Sequence, residues 1–144
     1  MRILRGFTLL ELLCVLGLLA VIAAIAVPSI NGLRLESALA KARTDLAVLQ
    51  SAAEAYHFKY KAYPPEINYQ ETLMNRTDLL PQKLTDPLTG AEYVYKLYGR
   101  YYVFLSPGAN RKIDFTETDL NLPAGTFTKS ANDDLLVTNL KVRE

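Results

Sequence analysis

The sequence is short of the residues on which most catalytic and disulfide chemistry depends. Its 144 residues include one cysteine, Cys14, and one histidine, His57. A single cysteine excludes an intrachain disulfide and a cysteine-based zinc site, and a single histidine excludes an HExxH metalloprotease. A glycine-rich phosphate-binding loop is also missing from the sequence. Together these absences argue against an enzyme.

An excess of charge of one sign is also missing. The chain has 16 basic and 15 acidic residues and a formal net charge of +1. It therefore lacks the basic character typical of nucleic-acid-binding domains, and we expect no nucleic-acid partner. Half of the residues are hydrophobic, which excludes global disorder. The length fits one domain.

The most conspicuous feature that is present is an apolar run near the amino terminus. Residues 12–27 contain no polar side chain, and residues 7–11 extend the run to about 21 residues before Pro28. As a helix it would be about 30 Å long, which matches the core of a lipid bilayer. Hydropathy alone fits three alternatives: a cleaved secretory signal, a plain single-pass anchor, or a processed filament segment.

The residues before the run favour the third alternative. Residues 5–13 are RGFTLLELL, which resembles the processing motif of type IV pilins and the related pseudopilins. The resemblance implies that a prepilin peptidase cuts after Gly6 and methylates the new amino terminus at Phe7. It also implies that Glu11 serves assembly, because its carboxylate would pair with the amino terminus of a neighbouring subunit. The alternative for Glu11 is a charge that reaches the membrane interface from the helix end.

Beyond Pro28 the apolar residues recur at alternating steps of three and four, which predicts an amphipathic helix to about Lys61. The stripe consists of Leu35, Leu39, Ala42, Leu46, Leu49, Ala53, Tyr56 and Tyr60. Tyr63-Pro64-Pro65 is expected to end the helix. A coiled-coil seam is the competing interpretation, but the two aromatic residues at the end fit a helix docked on a sheet better.

The remaining sequence predicts a small antiparallel sheet. Residues 91–97 and 100–105 are rich in aromatic and β-branched residues and predict a hairpin, and residues 135–142 predict a third strand. Residues 66–82 predict a loop with one short helical turn. The hairpin holds five of the nine tyrosines, which we expect to pack on the helix rather than form a binding surface.

These elements predict an α+β, pilin-like fold. A long N-terminal α-helix, with an apolar transmembrane half and an amphipathic half, would pack on a small antiparallel β-sheet. The predicted organisation is a cleaved leader, a transmembrane or filament-core helix, an amphipathic helix and a globular β domain, at residues 1–6, 7–28, 29–62 and 63–144.

A second resemblance concerns the globular part. Tyr63-Pro64, a Leu-x-Asp-Pro-x-x-Gly sequence over residues 84–90 and the loop after the hairpin are similar to the major pseudopilins of type II secretion. That family binds calcium with this loop and a following acidic pair. The resemblance implies four ligands, Ser106 through its carbonyl, Asn110, Asp133 and Asp134.

Two departures from the family pattern bear on this calcium site. Asn110 stands where the family usually has aspartate, and about 22 residues separate it from the acidic pair. Asp114, Glu117 and Asp119 lie in that insert and are possible substitutes. Calcium accepts carboxylate, amide and carbonyl oxygens, so the chemistry is reasonable. The alternative is a solvated acidic turn.

The two resemblances imply a non-enzymatic subunit of a periplasmic pseudopilus that drives protein export by type II secretion. Its partners would be further copies of itself, minor pseudopilins, the prepilin peptidase, the inner-membrane assembly platform and secreted proteins. It would be a single-pass inner-membrane protein with a periplasmic C-terminal domain. The alternatives are a type IV pilin of a surface fibre, for adhesion, motility or DNA uptake, and a membrane-anchored monomeric binding domain. The lack of a cysteine pair favours the pseudopilin.

The processing motif makes a prediction about the mature chain. We expect the N-terminal peptide of the native protein, analysed by mass spectrometry, to begin at a methylated Phe7. A peptide that begins at Met1 would indicate a plain anchor. A peptide that begins near Val27 would indicate a cleaved secretory signal.

Overall fold

The computed structural model describes residues 7–77, 79–128 and 133–143, with backbone alone at residues 26–31, 76–77, 128 and 142–143. The predicted leader, including Gly6, lies outside these residues. The elements are α1 (Leu9–Tyr60), α2 (Tyr69–Thr77), β1 (Val94–Tyr98), β2 (Tyr101–Ser106), a 3-10 turn (Glu117–Asp119), β3 (Leu120–Asn121), β4 (Thr126–Thr128), β5 (Leu135–Thr138) and β6 (Lys141–Arg143). The predicted α+β, pilin-like architecture is confirmed.

The chain divides into two compact units, residues 1–36 and 37–144. In the first unit, α1 begins after Thr8, and the described large apolar side chains from Phe7 to Ile25, together with that of Leu33, are exposed. Among the residues that the structure describes, no helix is both long enough and apolar enough to cross a membrane. The span predicted at residues 7–28 therefore stays a prediction.

In the second unit, the predicted apolar stripe of α1 forms one wall of the core. Its buried members are Ala42, Leu46, Leu49, Ala53 and Tyr56. Tyr60 was predicted on this stripe but is 41% exposed. The helix ends at this residue, because Lys61 adopts a left-handed backbone conformation with φ of 57°.

The opposite wall is the aromatic face of the first sheet. Its strand order is β1-β2-β5, and every pairing in it is antiparallel. Tyr95 pairs with Phe104 in the β1–β2 register, and both rings are buried with Tyr102. The prediction that the hairpin tyrosines pack on the helix is therefore confirmed for Tyr93, Tyr95 and Tyr102.

Two segments differ from the sequence-based expectations. Residues 66–82 contain the nine-residue helix α2 rather than one turn. The single strand predicted at residues 135–142 is two strands, which belong to different sheets. The break lies at Asn139, whose side-chain oxygen accepts the Tyr102 backbone N–H at 3.1 Å and whose amide donates to the Arg100 carbonyl at 2.9 Å.

The insert between the hairpin and β5 contributes β3 and β4 to a second sheet that the sequence analysis missed, and β6 completes it. Its order is β3-β4-β6, and the β4–β6 pair is parallel. A second apolar cluster lies here, with Val103, Leu105, Phe127 and Leu140 buried. The described part of the insert therefore packs against β2 through this cluster.

Several core phenols donate hydrogen bonds to carboxylates on α1. Tyr93 donates to Asp45 at 3.0 Å, and Tyr102 donates to Glu54 at 2.7 Å. Burial raises the pKa of both phenols well above its usual range, and the hydrogen-bonded carboxylates raise it further. Burial also raises the pKa of Tyr69 and Tyr95.

These shifts predict alkaline unfolding. The four phenols stay protonated in the folded state at a pH at which the unfolded chain releases their protons, near pH 10. Their contribution to the stability of the fold is therefore complete below about pH 10 and is lost as the pH rises further. Each such phenol should remove about 1.4 kcal/mol of stability per pH unit in that range. Tyrosinate absorbance and circular dichroism, followed together, should show Tyr69, Tyr93, Tyr95 and Tyr102 ionising only as the fold is lost. Ionisation of every phenol near pH 10 with the fold intact would contradict this.

Candidate functional site

The first candidate site is the amino-terminal motif. Thr8 caps α1, because its Oγ1 accepts the Glu11 backbone N–H at 3.2 Å and its carbonyl accepts that of Leu12 at 3.2 Å. Thr-x-x-Glu is also the sequence pattern of a helix capping box, a signal that the sequence analysis missed. The motif therefore has a local structural role besides the predicted role in processing and assembly.

The two predicted functional residues that the structure describes in this motif are both exposed. Phe7 is 71% exposed, and Glu11 lies in the first turn of α1 and forms no ion pair with a described residue. A carboxylate at this end of a helix is favoured by the helix dipole. Its charge is free to meet a cation from another molecule.

The second candidate site lies where β2 ends and its antiparallel partner β5 begins. Ser106 pairs with Leu135 as the last pair of the ladder, so the segments beyond them leave the sheet together. Gly108 lies directly against Asp133: a Cβ at this position would be 2.0 Å from the Asp133 carbonyl oxygen. Only glycine allows this approach without a shift of the loop.

Three carboxylates meet at this point. Asp114, Asp133 and Asp134 each place an oxygen within 4.8 Å of the other two. Backbone N–H groups hold two of them: the N–H of Asn110 donates to Asp133 at 2.9 Å, and the N–H groups of Asp114 and Phe115 both donate to Asp134 Oδ2 at 2.8 Å.

The cluster has more negative charge and more acceptors than the described residues satisfy. The three carboxylates form no ion pair with a described residue. The other Asp134 oxygen, Oδ1, is buried and has no hydrogen-bond partner in the described part of the chain. A buried oxygen without a partner is costly, and a hard cation with oxygen ligands would satisfy it.

Two of the four predicted calcium ligands lie in the carboxylate cluster, and the other two do not. Asp133 and Asp134 lie in the cluster. Asn110 lies beside it, but its Oδ1 accepts the Lys112 N–H at 2.7 Å and its amide donates to Asp114 at 2.6 Å. The Ser106 side chain is fully buried.

Of the possible substitutes in the insert, only one joins the cluster among the described residues. Asp114 lies beside the acidic pair. Glu117 instead accepts the Tyr98 hydroxyl at 3.2 Å, and Asp119 accepts the Thr116 N–H at 2.9 Å. No sequence signal distinguished Asp114 from the other two.

Comparison with known proteins identifies the family. The family model of type II secretion system protein G matches residues 30–131, and that of the prokaryotic N-terminal methylation motif matches residues 1–27. The chain belongs to the type II secretion system protein G family. The methylation motif covers Gly6, Phe7 and Glu11.

Curated relatives agree with this assignment. The chain is 31% identical over 140 residues to the type II secretion system core protein G of Aeromonas hydrophila. The aligned residues cover 94% of this chain and 93% of the relative. It is 32% identical over 114 residues to the same protein of Pectobacterium carotovorum, and the aligned residues cover 76% of this chain and 72% of that relative. No solved structure matches the chain. The predicted resemblance to major pseudopilins is confirmed, and the protein is a pseudopilus subunit of type II secretion.

Proposed function

We propose that the protein is a non-enzymatic subunit that polymerises with copies of itself, and with minor pseudopilins, into a periplasmic pseudopilus that drives protein export. The family match over residues 30–131, with the methylation motif over residues 1–27, carries this proposal. The prepilin peptidase, the inner-membrane assembly platform and the secreted proteins are its further partners.

Residues 7–28 anchor the subunit in the inner membrane in a single pass, with the C-terminal domain in the periplasm. Two observations support the anchor. The described large apolar side chains from Phe7 to Ile25 are exposed, and residues 12–27 have no polar side chain. Such a helix needs lipid or protein around it. Lipid would cover it before assembly, and neighbouring subunits would cover it in the filament.

Glu11 directs the assembly step. Cleavage after Gly6 creates an α-ammonium at Phe7, and the Glu11 carboxylate of a neighbouring subunit pairs with it. A carboxylate without a partner is expensive in an apolar environment, and a paired one much less so. Each added subunit therefore satisfies a charge while its apolar helix is buried.

The Glu11 proposal predicts that Glu11→Gln prevents filament formation but leaves the protein in the membrane fraction. Glutamine is also a capping-box residue, so this change removes the charge and spares the helix start. Electron microscopy of filaments and membrane fractionation would measure the two effects. Glu36→Gln, at another exposed glutamate of α1, is the matched control and should leave filaments unchanged. Normal filaments from Glu11→Gln would refute the assembly role.

We also propose that the acidic loop, which consists of residues 107–115 after β2 and of Asp133 and Asp134 before β5, binds calcium. Asp114, Asp133 and Asp134 would hold the ion, with the Ser106 carbonyl and Asn110 as the further ligands that the family pattern implies. The partnerless Asp134 Oδ1 and the close approach of Asp133 to Gly108 support the fit. A bound calcium ion supplies positive charge to a carboxylate cluster. It would tie the C-terminal segment, which has no disulfide, to the loop after β2.

Calcium removal should destabilise the folded domain. For the full-length protein in detergent, we expect a chelator to lower the melting temperature and added calcium to restore it. A ligand at about 100 times its Kd adds about 2.7 kcal/mol of stability. The Asp133→Asn/Asp134→Asn double variant should lose the response, whereas the control Asp119→Asn should keep it. Equal melting temperatures of the wild-type protein with chelator and with calcium would refute calcium binding.

A further inference from the structure

Asp86 is a buried carboxylate in the turn that precedes the hairpin. It is 1% exposed and forms no ion pair with a described residue. Its Oδ1 accepts the Leu88 backbone N–H at 2.7 Å, and its Oδ2 accepts the Ser106 hydroxyl at 2.6 Å. Hydrogen bonds to an ionised acceptor are short and strong, which offsets part of the cost of burial.

The backbone of the same turn is closed around Asp86. Its N–H donates to the Ala91 carbonyl at 2.8 Å, and its carbonyl accepts the Gly90 N–H at 2.7 Å. Gly90 has the positive φ of 74° that this turn requires. Hydrogen bonds within the turn therefore hold the Asp86 carboxylate in place, and it has little freedom to follow Ser106 if that residue moves.

Ser106 is the residue from which the acidic loop begins. It is fully buried and ends β2, and its partner Leu135 directly follows Asp134. The hydrogen bond to Asp86 thus fixes the point at which both arms of the acidic loop leave the sheet. Gly108 and Asp133 then meet at a distance that allows no added side-chain carbon.

We propose that Asp86 is a positioning residue for the calcium-binding loop, acting through the Ser106 hydroxyl. The inference rests on the proposed calcium function. Calcium ligands must lie within about 2.3–2.6 Å of one ion. A loop that is already fixed where it leaves the sheet needs less ordering to reach this arrangement, so less of the binding free energy is spent on ordering it. Without the hydrogen bond, the loop populates the binding conformation less often, and its apparent affinity falls by that fraction.

Ser106→Ala removes the hydroxyl alone, and Asp86→Asn weakens its acceptor while keeping its shape. We expect each change to weaken calcium binding at least 10-fold, a typical effect of losing a partner behind the metal ligands. The double variant should bind no more weakly than the weaker single variant, because both changes remove one interaction. Calorimetric titration of the full-length protein in detergent with calcium alone would measure the Kd of each variant.

Asp45→Asn is the matched control. Asp45 is also a buried carboxylate that accepts one hydroxyl, from Tyr93, but it lies on α1. We expect it to lower the melting temperature without calcium and to leave the calcium Kd unchanged. If the Asp86→Asn variant does not fold, the calcium Kd of the Ser106→Ala variant alone tests the positioning role.

Each outcome has one meaning. A weaker Kd in Ser106→Ala, beyond any change in Asp45→Asn, supports the positioning role. Wild-type Kd values in Ser106→Ala and Asp86→Asn overturn it and leave the calcium proposal standing. Absence of calcium binding by the wild-type protein overturns the calcium proposal and this inference together.

Discussion

The packing of α1 on the tyrosine-rich face of the first sheet is the interaction on which the globular unit depends. Between Ala42 and Tyr56, Asp45 is the one charged residue that is buried, and the Tyr93 hydroxyl donates a hydrogen bond to its carboxylate. Tyr102 does the same for Glu54. Tyrosine therefore fills the core with its ring and satisfies a helix carboxylate with its oxygen, which phenylalanine could not do.

This arrangement also determines where the acidic loop lies. With the face of β2 held against the helix, the β2–β5 register places Ser106 opposite Leu135. The register in turn brings Gly108 against Asp133, and the backbone N–H groups of residues 110–115 are then in reach of the carboxylates. The loop is thus a consequence of strand pairing rather than a separate structure. Asp86 adds a fixed point from a third segment.

The sequence predicted most local elements, with the exception of the length of α2 and the cap at Thr8, and missed the elements that depend on distant partners. The stripe of α1 and the hairpin follow from periodicity and β propensity within a few residues. Asn139 looked like part of a strand because its partners, Tyr102 and Arg100, are distant in the chain. Asp114 reaches the acidic pair because a second sheet folds the insert back, and its parallel β4–β6 pair has no short-range signal. Pattern reasoning could name the three acidic substitutes but could not choose among them.

Glu11 shows how one residue serves two physical requirements. At the third position of α1 it suits the positive end of the helix dipole, and its backbone N–H is satisfied by Thr8. Neither role requires an ion pair, and the Glu11 carboxylate forms none with a described cation. A helix start stabilised through the backbone therefore leaves the carboxylate available to a neighbour. Because the cap is local, the start of α1 in a single subunit does not require the Glu11 charge to be paired, which leaves that charge for the pairing between subunits that we propose.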